Sequence, residues 1–210
     1  MRVDSIMKTD SILETLRAKI GHDEPYSASE LAEISRLNIK RFDIDKDVLR
    51  VNFDDLKYFN AVTSLTINSC VINRETIDKI KQLKTLGTLI LMNCSLTNNA
   101  KYYLKQTTIK NLVIDFGEVN MDCVSDFNLD SLVINGFRIK SGLNLKATNL
   151  DVSKCILVDK NVLKSENIKK LTISYSQYMK DTLFFDNLNK EIIVMENNRE
   201  LIYKELKNNG

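Results

Sequence analysis

One short phrase occurs seven times in this chain: an apolar residue, two others, an apolar residue, one other, and an apolar residue. It reads Ile34, Leu37, Ile39 in "ISRLNI"; Val62, Leu65, Ile67 in "VTSLTI"; Leu86, Leu89, Leu91 in "LGTLIL"; and Ile109, Leu112, Ile114 in "IKNLVI". It continues as Leu129, Leu132, Ile134 in "LDSLVI"; Ala147, Leu150, Val152 in "ATNLDV"; and Ile168, Leu171, Ile173 in "IKKLTI". Between the middle residues the steps are 28, 24, 23, 20, 18 and 21, and a frayed eighth copy with Ile192 and Val194 follows after another 21. Repetition on this scale constrains the fold more than any local propensity, because a repeat unit of this size cannot bury its own apolar face and must stack on its neighbours. The apolar-x-apolar core has the period of a strand. Its inward residues should therefore pack on their counterparts in adjacent coils, roughly 4.8 Å away.

The return half of the longer coils has helical spacing: Ile77, Ile80 and Leu83 recur at threes in "RETIDKIKQL", and Tyr103 with Leu104 lie on one side of "NNAKYYLKQT". Coils of 18 to 21 residues leave little room for a full helix and should return through turns or brief extended segments. A stack also exposes apolar faces at both ends, so caps are expected. Residues 1–33 supply the first, with Ile12, Leu13, Leu16 and Ile20 on one helical face, Gly21 to stop it, and Ser27 with Glu30 at capping-box spacing. The repeats occupy 34–195. Residues 196–210 close the far end as a helix with Leu201, Ile202 and Leu206 turned to the last coil. The whole is expected to be one structural domain.

Charge and composition exclude several function classes. Thirty basic and 28 acidic residues give a net charge of +2, with the signs interleaved, so nucleic acid is not an expected partner. No run is long and apolar enough to cross a bilayer, and the start lacks the apolar segment of a signal peptide. A cytoplasmic location is expected, or a secreted or surface one if an export signal has been removed. The four cysteines form no CxxC pair, and His22 is the sole histidine, so no metal or other cofactor is expected. His22 lies far along the chain from every cysteine, and phosphate-binding glycine loops, GxSxG and HExxH are absent, so no catalytic residue is assigned and the protein is expected not to be an enzyme.

The repeated phrase, extended by two positions, resembles the leucine-rich repeat proteins, whose consensus is LxxLxLxxN/CxL. The second copy fits in full through Val62, Leu65, Ile67, Cys70 and Ile72, the third through Cys94 and Leu96, the sixth through Cys155 and Leu157. Phe42, Gly117, Phe137 and Ser176 stand at that Asn/Cys position in the other copies. The stretch "ILETLRAKIGHDEPYSASELAEISRLNIKRFDI" is similar to the amino-terminal helical cap of bacterial internalin-type repeat proteins. The resemblance implies an α/β solenoid: a right-handed superhelix of about seven to eight repeats, with a curved parallel β-sheet on its concave face. It also implies buried, reduced cysteines at the ladder positions, and a concave face that recognises protein. Cys123 lies off the ladder and is expected in a buried loop.

Strand alternation indicates which side chains face out. The first coil presents Arg36 and Lys40, the third Ile90 and Met92, the fourth Val113 and Asp115 with Phe116 beside them, the fifth Val133 and Asn135, and the seventh is followed by Tyr175. Ile90, Met92, Val113, Val133 and Phe116 make an apolar stripe with polar flanks, the pattern of an interaction surface. The expected function is non-enzymatic capture of a protein partner on this face by a monomer or weak homodimer. Glycan or nucleic-acid recognition, or a purely structural, self-associating repeat protein, are the alternatives.

Overall fold

A computed structural model describes residues 17, 19–23, 25–40, 53–97, 99–197 and 199–201. They form two compact units, one running to Ile109 and including Gly117–Cys123, the other made of Lys110–Phe116 and the chain from Val124 onward. In both units parallel strands follow one another in chain order with short helices or turns between, a solenoid-like α/β arrangement.

In the first unit β1 (Arg36–Lys40), β2 (Ser64–Asn68) and β4 (Thr88–Leu96) are parallel, and the two-residue β3 (Val71–Ile72) pairs with the far end of β4. Their register puts Leu37 opposite Leu65 and Leu65 opposite Leu89, with Ile39, Ile67 and Leu91 matched in the same way. The second unit repeats the scheme in β5 (Asn111–Glu118, the residues through Phe116 lying here), β6 (Asn128–Ile139), β7 (Lys146–Leu157), β8 (Lys170–Ser174) and β9 (Glu191–Glu196). There Leu112, Leu132, Leu150, Leu171 and Ile192 stand in one register row. Within each unit the repeated phrases are thus strands whose matching residues stand in register from coil to coil. From β2 to β8 the apolar pairs of these phrases are buried, and removing such a side chain from water contributes roughly 1.5–3 kcal/mol.

The returns differ between the units. In the first, a 3-10 turn at Asp54–Tyr58 carries the fully buried Leu56, α2 (Arg74–Ile80) buries Ile77 and Ile80, and α3 (Ala100–Leu104) buries Ala100 and Leu104. Asn73 starts α2 by accepting the Thr76 N–H at 2.9 Å. In the second, β6 and β7 run on for 12 residues each, and a 3-10 turn at Lys160–Lys164 buries Val162 and Leu163. The expectation that the shorter coils lack helix fails at β8, which leads into α4 (Tyr175–Lys180) and α5 (Thr182–Asp186). Helices of six and five residues fit where one full helix would not, and each has its own start: Ser174 with Gln177 forms a capping box, and Asp181 accepts the Phe184 N–H.

Both ends add detail. Ser27 and Glu30 make the expected capping box at the start of α1 (Ala28–Ala32), and the Gly21 N–H closes on the Arg17 carbonyl at 2.9 Å. Ile12, Leu13 and Leu16 lie outside the described residues, as do Ile202 and Leu206. At the carboxyl side Arg199–Leu201 is not helix but β10, antiparallel to β9 with Leu201 opposite Val194. A turn at Asn197 with φ +48 folds the chain back there, so the backbone groups of this stretch pair with β9.

His22 is exposed in the loop after Gly21 and is held there from two sides. Its Nε2 lies 2.8 Å from Glu30 Oε1 and its Nδ1 2.6 Å from the Asp23 carbonyl oxygen. The Glu30 hydrogen bond, then the Asp23 carbonyl, raise the imidazole above its usual 6.5; in return His22, followed by the Ser27 N–H and hydroxyl, lowers Glu30 to about 2. The raised histidine favours the fold fully below 6.5, and that contribution is lost as pH rises through its folded value. The lowered carboxylate favours the fold above its ordinary 4.5 and loses that as pH falls towards about 2. In an NMR titration the single histidine should give a midpoint above 6.5 that Glu30→Gln moves back towards 6.5. An unchanged midpoint in the variant would remove Glu30 as the cause.

Candidate functional site

A bend after the last outward residue of four strands shapes the strand face. Ser69, Asn93 and Phe116 have φ of +56, +50 and +54, and Gly136 follows at +82. Each comes one residue after the last outward position, so the chain turns inward and the next residue enters the ladder. The ladder cysteines bond backbone carbonyls, including one of the coil before: Cys94 Sγ donates to the Ile67 and Met92 carbonyls at 3.3 Å each, and Cys155 Sγ to Ile134 O at 2.9 Å. All four cysteines are buried, Cys123 included. Burial pushes the Cys155 thiol up to about 11 and raises Cys94 as well, so neither is a thiolate at neutral pH.

In the first unit the register aligns Asn38, Thr66 and Ile90 in one row, and Lys40, Asn68 and Met92 in another. Ile90 and Met92 are half-buried and Arg36 is exposed. A hollow of about 880 Å³ is lined by these strands, with Arg36, Ser64, Thr66, Thr88 and Ile90 on its walls. Its lining is polar apart from the Ile90 end.

In the second unit Val113 stands opposite Val133 and Asp115 opposite Asn135, all four half-buried. The row continues through Asp151 and Thr172 to Ile193, an outward apolar residue that the seven-fold phrase did not flag. Phe116 is 52% exposed, and a methyl group added at Gly136 would stand only 2.3 Å from its ring, so the phenyl lies flat against that glycine. Phe116 therefore extends the Val113/Val133 surface at the corner. Tyr175 does not face out from a strand: it is the first residue of α4 and half-buried, because the Ser174 capping box turns the chain before that position.

The second unit also has a cleft of about 720 Å³ where the end of β7 faces α4 and α5. Ile156 and Val158 stand exposed on one side at 57% and 53%, and on the helices Met179 and Leu183 are exposed at 54% and 72%. Gln177 occupies the ladder role assigned to Ser176, its Nε2 donating to Val152 O at 2.9 Å and Cys155 O at 2.7 Å, while Ser176 points to solvent. Lys160 pairs with Asp181 and sits 4.7 Å from the centre of the Phe184 ring. The alternation of "CILVD" would have placed Ile156 and Val158 outward had the strand been extended past the ladder cysteine.

Among the described residues no three His, Cys, Asp or Glu side chains are grouped to hold a metal ion, and no helix is long and apolar enough to cross a membrane. No protein-family model matches the chain, and no curated protein matches it either.

Proposed function

We propose that this chain is a non-enzymatic protein-binding module: a leucine-rich repeat solenoid of the internalin-like kind that holds a protein partner on the outward, concave side of its parallel strands. The observation that carries the proposal is the Val113/Val133 pair, apolar side chains in direct register on a strand face that solvent reaches, with Phe116 exposed beside them and Asp115/Asn135 as the polar border. Such an arrangement offers a partner an apolar centre to desolvate and a polar rim to orient it. Ile90 and Met92 of the first unit are likewise half-buried on β4, with Arg36 exposed on β1. Buried cysteines, with the Cys94 and Cys155 thiols raised by that burial, and a His22 hydrogen-bonded to Glu30 support a scaffold over a nucleophilic centre.

The test is affinity capture from the native host's lysate with wild type beside Val113→Glu/Val133→Glu, with circular dichroism showing both folded. Both valines are half-buried at the surface, so two carboxylates should be accommodated in the fold while the captured protein is lost. Equal recovery by both chains would sink the proposed face.

A further inference from the structure

The sheet edge at the end of β7 extends beyond the coil that should cover it. β7 pairs with β6 as far as Leu157, with register shifts between Val133 and Asn135 and between Asn135 and Arg138, but with β8 only as far as Asp151. After Ser174 the next coil is helix, so Val152–Leu157 has a strand on one side and the 720 Å³ cleft on the other. Gln177 answers two carbonyls of that edge, at Val152 and Cys155, which is the service a neighbouring strand would render. Beyond Cys155 none of the described residues bonds the Ile156–Val158 backbone from the cleft side. An uncovered strand edge is a template for another strand.

We propose that this edge is a second binding site, taking an extended acidic peptide as an added strand along Lys154–Val158. Backbone pairing supplies the attachment, and Ile156 and Val158, two residues apart and both exposed, supply contacts for alternate apolar side chains of the peptide. Charge sets the remaining positions. Three lysines and two aspartates line the cleft, a net charge of +1: Lys160 pairs with Asp181, Asp159 keeps its charge while accepting the Asn161 N–H, and Lys154 and Lys180 are exposed with no ion pair among the described residues. The charge offered to a ligand is positive, which selects acidic residues between the apolar ones. This site is independent of Val113 and Val133 and goes beyond the function proposed for them.

The probe is a displayed library of random seven-residue peptides panned on the full chain, followed by fluorescence anisotropy with the enriched sequence synthesised in three forms. One form is unmodified and the others are N-methylated on alternate amides in opposite phase, since only one phase blocks pairing with β7. Enrichment of peptides alternating apolar and acidic residues is expected. One methylation phase should weaken binding at least ten-fold and the other leave it within about two-fold. Ile156→Glu/Val158→Glu should lose the peptide and Val113→Glu/Val133→Glu should keep it. The proposal is overturned by a panning that enriches nothing over a blank support, by equal effects of the two phases, or by binding that survives Ile156→Glu/Val158→Glu. It is overturned equally by sedimentation showing a self-associated chain that Ile156→Glu/Val158→Glu renders monomeric, which would give the edge to a second copy.

Discussion

Gly117→Ala is expected to lower stability by about 2–4 kcal/mol, combining backbone strain at a left-handed residue with overpacking of a close contact. Gly117 has φ +106, and an added methyl group would lie 2.2 Å from the Cys94 carbonyl oxygen and 2.9 Å from its amide nitrogen. Both obstacles are backbone, fixed by the ladder, so no side chain can swing aside. Where the two preceding coils put the cysteines Cys70 and Cys94 at this position, this one brings its own backbone against the coil before. Gly136→Ala provides the control: φ is also positive there, at +82, but the nearest atoms are those of the Phe116 ring, which is half exposed and free to rotate away. Its cost should be about 1 kcal/mol from the left-handed backbone alone. Urea unfolding of the two variants should show the larger fall in midpoint for Gly117→Ala; equal falls would mean that the contact with Cys94 yields.

Leu132→Ala should cost about 2–5 kcal/mol, the range for emptying a close-packed core site. Leu132 is 1% exposed and stands in register between Leu112 and Leu150, buried alike, so the cavity opens between two coils hydrogen-bonded to its own strand on either side. The next residue, Val133, points the other way and is half-buried; Val133→Ala should cost below about 1 kcal/mol at roughly 25 cal/mol per Å² of apolar surface. The pair of values, one residue apart, measures the in/out alternation on which the proposed face rests. A Val133→Ala loss as large as that of Leu132→Ala would reverse the assignment.

The strand rows were legible in the sequence because period-two alternation and repetition act together: Leu37, Leu65 and Leu89 sit opposite one another for the reason that their spacing suggested. The ladder was legible only where a side chain fills it. Gly117 does so by having none, and Gln177 replaces Ser176 because a capping box bends the chain one residue after β8 begins to leave the sheet. Ile156 and Val158 escaped notice because the repeated phrase ends at the ladder position while β7 does not. The stretch at Arg199–Leu201 carries charged and apolar residues in an order compatible with helix or strand, and antiparallel pairing with β9 decides it. For Tyr175 local helix capping overrides the strand register. Neither hydrogen-bond capping by a distant glutamine nor an uncovered edge has a signature in the order of residues alone.

The most direct measurement on the proposed face is methyl NMR of the chain with its valines labelled, titrated with the protein recovered by capture. The account predicts that the Val113 and Val133 methyl signals shift or broaden in step with binding, while those of the buried Val152 and Val162 stay in place. Binding that leaves Val113 and Val133 unmoved and perturbs valines elsewhere would contradict it.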